Sequence, residues 1–229
     1  MRDSLHQQGI RNLLFAMSVG LCWFALPSDQ ASADSSSPSM SSGSDACEKV
    51  EDCFQAAALP KERLGKALNK EQVLLLKLDR LQRLIERFPA TIWAKRAGLL
   101  SGVLSLDRSP AAAIQFLRVA QRDFPVLDDY IRLWMGEALL NLGDAKQAAD
   151  MFESIRQAVP DSFLLTKVAY RAGEAWYQAS SCPEATAWFA KAVELNDKEP
   201  EAPQALLRRG ACQLRDNNIP EGRETLMQL

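Results

Sequence analysis

One feature limits the possible folds of this chain more than any other: its C-terminal half repeats itself. Gly136, Gly173 and Gly210 are 37 residues apart. Ala148, Ala185 and Gly222 keep the same spacing, as do Phe152, Phe189 and Leu226. A small residue, a second small residue 12 positions on and a large apolar residue four later describe a helix–turn–helix hairpin repeated in tandem. The spacing predicts that the small residues of the two helices face each other and let them approach, with Phe152 or Phe189 filling the wider end. One hairpin cannot bury its apolar face alone, so hairpins stack. The expected fold is an all-α solenoid, a right-handed superhelix whose concave side binds other molecules.

The residues at these phases resemble the tetratricopeptide repeat. Gly136, Leu139, Gly143-Asp144, Ala148, Phe152 and Pro160 fit the pattern in one copy. Gly173, Trp176, Ala185, Phe189 and Ala192 fit it in the next, and Gly210 with Gly222 begin a third. The repeats are bounded at 129–165, 166–202 and an incomplete 203–229. A degenerate one at 91–127 precedes them, with helices from Ile92 and Pro110 and with Ala112 and Phe116 near the expected phases. Helices are expected at about 128–142, 145–158, 163–179, 183–195, 202–215 and 219–229. With the last helix ending at Leu229, Leu226 and Leu229 are expected to lie open, as if the chain were part of something longer or covered by a partner.

The first 33 residues read as a secretory signal. Arg2 and Arg11 precede an apolar run from Leu13 to Leu26, Pro27 breaks it, and Ala31-Ser32-Ala33 places cleavage after Ala33. The Ser-rich stretch 34–45 reads as a flexible linker. Residues 46–90 read as N-terminal helices, one opened by Pro60. The strongest runs from Lys70 to Phe88, with Asn69 as its cap and Leu74, Leu78, Leu81, Ile85 and Phe88 as its apolar stripe. Lys77, Arg80, Arg83 and Arg87 crowd its polar side. They make either a patch for an anionic polymer or lipid headgroup, or a solvated face.

A net charge of −2 gives no reason to expect nucleic-acid binding. The single histidine, His6, falls in the signal segment. Neither a metal nor a cofactor is expected, and the membrane is met only through the signal segment during export. The four remaining cysteines, in an exported chain, point to disulfides. Cys182 starts a second helix and Cys212 lies late in the next first helix, so stacking predicts a Cys182–Cys212 bridge. Cys47 and Cys53 can bond only if the chain turns between them. Small buried thiols are the alternative for each pair.

Repeat phase assigns a concave surface: Tyr130, Leu133, Glu137 and Leu140; Lys167, Tyr170, Glu174 and Tyr177; Gln204, Leu207, Ala211 and Leu214. An aromatic groove with acidic rims suits sugars or apolar peptide side chains. The same positions also serve ordinary packing between helices. The carboxylate pair Asp128-Asp129 sits at a helix start, where it complements the macrodipole.

Three runs together resemble the helical-repeat region of soluble lytic murein transglycosylases: Arg87-Phe88-Pro89 with Ile92-Trp93-Ala94-Lys95-Arg96-Ala97; Phe124-Pro125-Val126-Leu127-Asp128-Asp129-Tyr130; and Trp134-Met135-Gly136-Glu137-Ala138-Leu139-Leu140. The resemblance covers about residues 70–229. It implies a periplasmic superhelical arm that, in a full-length relative, positions a lysozyme-like domain on peptidoglycan. The family's catalytic Glu-Ser and Gly-Leu-Met-Gln motifs have only echoes, Glu153-Ser154 inside a repeat helix and Thr225-Leu226-Met227-Gln228. No catalytic residue is carried over. The resemblance thus implies an arm without its enzyme, with peptidoglycan or envelope proteins as partners. The alternative is a stand-alone adaptor for envelope assembly or cell division.

Overall fold

The computed structural model describes residues 47–59, 68–198 and 200–229, all within one compact unit, Cys47–Leu229. The signal segment, the Ser-rich linker and the helix expected at Pro60 lie outside the described residues. Ten α-helices and no strand are found among those described: α1 Val50–Ala58, α2 Lys70–Arg87, α3 Ile92–Leu104, α4 Pro110–Asp123, α5 Asp128–Leu142, α6 Ala145–Ala158, α7 Leu165–Gln178, α8 Cys182–Leu195, α9 Ala202–Arg215 and α10 Ile219–Leu226. From α3 onward they form the hairpins α3–α4, α5–α6, α7–α8 and α9–α10, each packed on the next. None of the described helices is long and apolar enough to cross a membrane.

The glycine of each first helix is an acceptor for the large residue of the second. A Cβ added at Gly136 would stand 2.3 Å from the Phe152 ring, and one at Gly173 would stand 2.6 Å from Phe189. Both rings are fully buried. The ring edge thus lies on the glycine itself, and in the last hairpin the two small residues face each other as expected, with a Cβ built on Gly222 3.3 Å from the Gly210 carbonyl oxygen. In the last hairpin Leu226 takes the place of the ring, 2.6 Å from a Cβ built on Gly210. Leu226 is therefore seated and half-buried, not open as expected, while Leu229 is exposed.

The turn between the two helices also keeps the period. Gly143, Ser180 and Asn217 all adopt the left-handed conformation, with φ of 85°, 61° and 62°. The next N–H closes each turn onto a carbonyl five residues back: Asp144 to Leu139 at 2.9 Å, Ser181 to Trp176 at 2.9 Å and Asn218 to Gln213 at 2.8 Å. These bonds satisfy helix-end carbonyls that would otherwise be left without donors.

The first hairpin is offset. Its buried pair is Ala113 and Leu117, not Ala112 and Phe116, and Leu117 packs 3.0 Å from a Cβ built on Gly102. The 3-10 turn Pro125–Leu127 that joins it to α5 sets a different repeat length from the later ones.

In α2, Asn69 and Gln72 form a reciprocal capping box. The centre of the buried stripe is Val73, Leu81 and Leu84, with Leu74, Leu78, Ile85 and Phe88 on its flanks. The basic side of this helix is partly used by the fold. Arg80 donates to the Ala56 carbonyl at 3.1 Å, near the end of α1. Arg83 pairs with Asp79.

Candidate functional site

The first helices α5, α7 and α9 supply the surface on which the sequence placed a groove. Its organising element is a ladder of ion pairs between successive repeats. Arg171 on α7 holds Glu137 on α5 through two bonds, one from Nε at 2.6 Å and one from Nη2. One repeat on, Arg208 Nε on α9 lies 3.2 Å from Glu174 Oε1 on α7. The N–H there is not aimed at the oxygen, so this rung is an ion pair without a hydrogen bond. Burial of the Arg171 guanidinium works against its charge, but Glu137, together with Glu174 and Tyr170, outweighs that, so its pKa rises. Arg208 follows the same logic with Glu174. The position after Glu137 and Glu174 in the series is Ala211, so the series of acids stops there.

The tyrosines are engaged as well. The Arg208 guanidinium lies over the Tyr177 ring, 4.5 Å from its centroid. Tyr170 tilts against Phe189 with centroids 6.0 Å apart, and burial, with help from Glu174, pushes its phenol up to about 12. Tyr130 packs 5.8 Å from Trp134. The surface is therefore not the acid-rimmed groove expected from repeat phase: each expected acid is neutralised by an arginine of the next repeat. Leu133 and Leu140 are not on it either, being 3 % and 9 % exposed in the core. Lys167 is half-buried, and Gln204, Leu207, Ala211 and Leu214 are exposed.

The carboxylate pair Asp128-Asp129 and the motif echo Glu153-Ser154 are both bonded within the fold. Asp128 accepts from Arg132 at 2.7 Å and from Gln121 at 2.6 Å, and Asp129 accepts from Ser162 at 2.5 Å. Glu153 Oε1 accepts two indole N–H groups, from Trp176 at 2.7 Å and Trp188 at 2.8 Å. Ser154 bonds the Met151 carbonyl at 2.6 Å and accepts from Arg132 at 3.0 Å.

The cysteines meet in pairs. Cys182 and Cys212 form a disulfide with Cα atoms 5.2 Å apart, tying α8 to α9. Cys47 and Cys53 form another with Cα atoms 5.4 Å apart. This second bridge closes because α1 begins only at Val50, leaving the residues before it free to turn.

Arg171, Arg208 and the Trp176–Glu153–Trp188 cluster had no place in the sequence reading. The available signal was spacing: Arg171 and Arg208 are themselves 37 residues apart and each follows its acid by 34.

Residues 130–162 match the family model for the tetratricopeptide repeat. No curated protein matches the chain significantly. Among solved structures, residues 41 to the end of MamA from Desulfovibrio magneticus RS-1 superpose with a TM-score of 0.62 at 14% identity, over 80% of this chain and 93% of that one. A putative kinesin light chain of nearly identical TPR-like repeats from Podosopora anserina gives a TM-score of 0.58 at 10% identity, over 78% and 92%. A further MamA structure gives 0.56 at 14% identity, over 69% and 86%. The fold is that of a TPR-like helical-repeat solenoid, an architecture used for interaction between proteins.

Proposed function

We propose that this chain is an exported scaffold whose inner face, the surface of α5, α7 and α9, holds an extended segment of an envelope protein. The observation that carries this is the Glu137–Arg171 and Glu174–Arg208 ladder. It locks three first helices in register and leaves Tyr170, Tyr177 and Leu207 on a preformed surface, so little ordering entropy is lost on binding. The leader-like N-terminus and the two disulfides support an oxidising compartment outside the cytoplasm, the periplasm. The test is a photo-crosslinking residue placed at Leu207 or Ala211 in cells of the native source. Discrete adducts from these sites, and none from the exposed Ala187 of α8, support the reading. Equal adducts from all three, or none, refute it.

A second reading is favoured by one specific observation, the sequence resemblance from Leu127 to Leu140. In it the chain is the superhelical arm of a lytic transglycosylase that positions a catalytic domain on peptidoglycan. An immunoblot against residues 130–220 of an envelope fraction, with a zymogram on the same gel, separates the two. A band far larger than 25.4 kDa with a clearing zone supports the arm. A band near that size without clearing supports the stand-alone adaptor.

A further inference from the structure

The cluster of Glu153, Trp176 and Trp188 has a counterpart one repeat earlier. Leu139 and Met151 stand 37 residues before the two tryptophans. Leu117 meets Gly102 as Phe152 meets Gly136, so Arg118 stands where Glu153 does. Where the later station is filled by two indoles bonded to a carboxylate, the earlier one has smaller side chains and an arginine. It is correspondingly open: a pocket of about 330 Å³ lies between α4, α5 and α6, lined by Arg118, Arg132, Met135, Leu139, Asp150 and Met151 among others. That volume is at the small end of ligand pockets, enough for one large side chain.

The pocket is chemically two-sided. Met135, Leu139 and Met151 give an apolar, adaptable wall. Arg132 is already held by Asp128 and Ser154. Arg118 on α4 is exposed, and among the described residues it has no acidic partner; Asp150 on α6 has no basic one. We propose that this pocket, distinct from the inner face, receives a tryptophan side chain carried by an acidic segment of a partner protein. The neighbouring repeat shows the chemistry: there an indole N–H finds a carboxylate while the ring fills the seam. In the open station Asp150 accepts the incoming N–H, the methionines close on the ring, and Arg118 meets the carboxylate next to it in the partner.

The probe is a short fluorescein-labelled peptide with one Trp between two Asp residues, added to the full-length chain and followed by anisotropy and by ¹³C-methyl methionine spectra. The Met135 and Met151 signals shift. Replacing the peptide's Trp by Ala weakens binding by more than about tenfold, as expected for a buried aromatic anchor. Arg118→Glu, an exposed change whose fold is checked by circular dichroism, weakens it roughly three- to tenfold. Met151→Trp, which puts into the pocket what residue 188 puts into the next station, abolishes it. The inference is overturned if the peptide does not bind, if it binds with both methyl signals unmoved, or if a peptide with Lys in place of Asp binds equally well.

Discussion

The glycine-to-ring packing makes a prediction whose sign depends on position alone. Gly173→Ala adds one methyl group that would stand 2.6 Å from Phe189 Cδ1 and 2.7 Å from Cε1. Phe189 is fully buried and cannot swing out. Overpacking of this kind costs about 3 kcal/mol at the upper end of its usual range. Against it stands the helix preference for Ala over Gly, about 1 kcal/mol. The net expectation is a loss of about 2 kcal/mol, or a Tm lower by roughly 4–8 °C for a chain of this size. Gly98, inside α3, is the control: a Cβ there meets nothing within 4 Å. Gly98→Ala should gain up to about 1 kcal/mol from the same propensity term. Urea unfolding followed by circular dichroism at an unchanged m-value measures both. If Gly173→Ala is as stable as the parent, the ring does not rest on the glycine, and the account of hairpin packing fails.

Three further outcomes follow from the same structure. Ser180 holds φ of 61° where the preceding repeat has Gly143; Ser180→Gly should relieve about 0.5–1 kcal/mol of left-handed strain and raise the melting temperature, and a lower Tm would contradict this. The Cys182–Cys212 bridge closes a loop with a sequence separation of 30, worth roughly 3–4 kcal/mol on the chain-entropy model. Cys182→Ser with Cys212→Ser should lose that stability under non-reducing conditions, and an unchanged urea midpoint would count against the bridge. Tyr170, raised from 10.0 to about 12 in the folded state, stabilises the protein fully below pH 10. That contribution is lost as pH rises through the folded value, because the unfolded phenol ionises first. Ultraviolet titration should show one late tyrosinate transition near pH 12, absent in Tyr170→Phe, and stability between pH 10 and 12 should fall less steeply in that variant.

The sequence made the fold legible because each repeat tests the same positions again. The glycines and rings at one period announce paired helices, and α5 to α9 begin and end within a few residues of where the pattern puts them. It failed where the period fails. The first hairpin joins α5 through a 3-10 turn, and the 37-residue phase carried back from Phe152 falls on Gln115; Phe116 is the first large apolar residue beside it, whereas Leu117 is the buried one. The candidate surface was legible only by half. Glu137, Glu174, Tyr170 and Tyr177 have a phase that faces inward, but their partners Arg171 and Arg208 belong to the next repeat. Whether a glutamate is a free rim charge or one end of an ion pair depends on stacking, a relation between repeats that no single repeat encodes.

That dependence also says where function should be sought in such an array. Residues that keep the period, such as Gly136 with Phe152 and Gly173 with Phe189, are constrained by the hairpin and carry little information about a ligand. The informative positions are those where equivalent stations differ. Trp176 with Trp188 fills a seam that Leu139 with Met151 leaves open, and at the third station Gln213 with Thr225 follows Ala190 instead of a glutamate. Gln213 is 8 % exposed, and its Oε1 has no hydrogen-bond partner, which is what results when a polar residue occupies the tryptophan position without the carboxylate across from it. The three fillings coexist with one recurring contact, a large side chain seated on the glycine of the first helix: Phe152 on Gly136, Phe189 on Gly173 and Leu226 on Gly210. The seam varies while that contact recurs, and the open station beside Arg118 is where variation has left room for a partner.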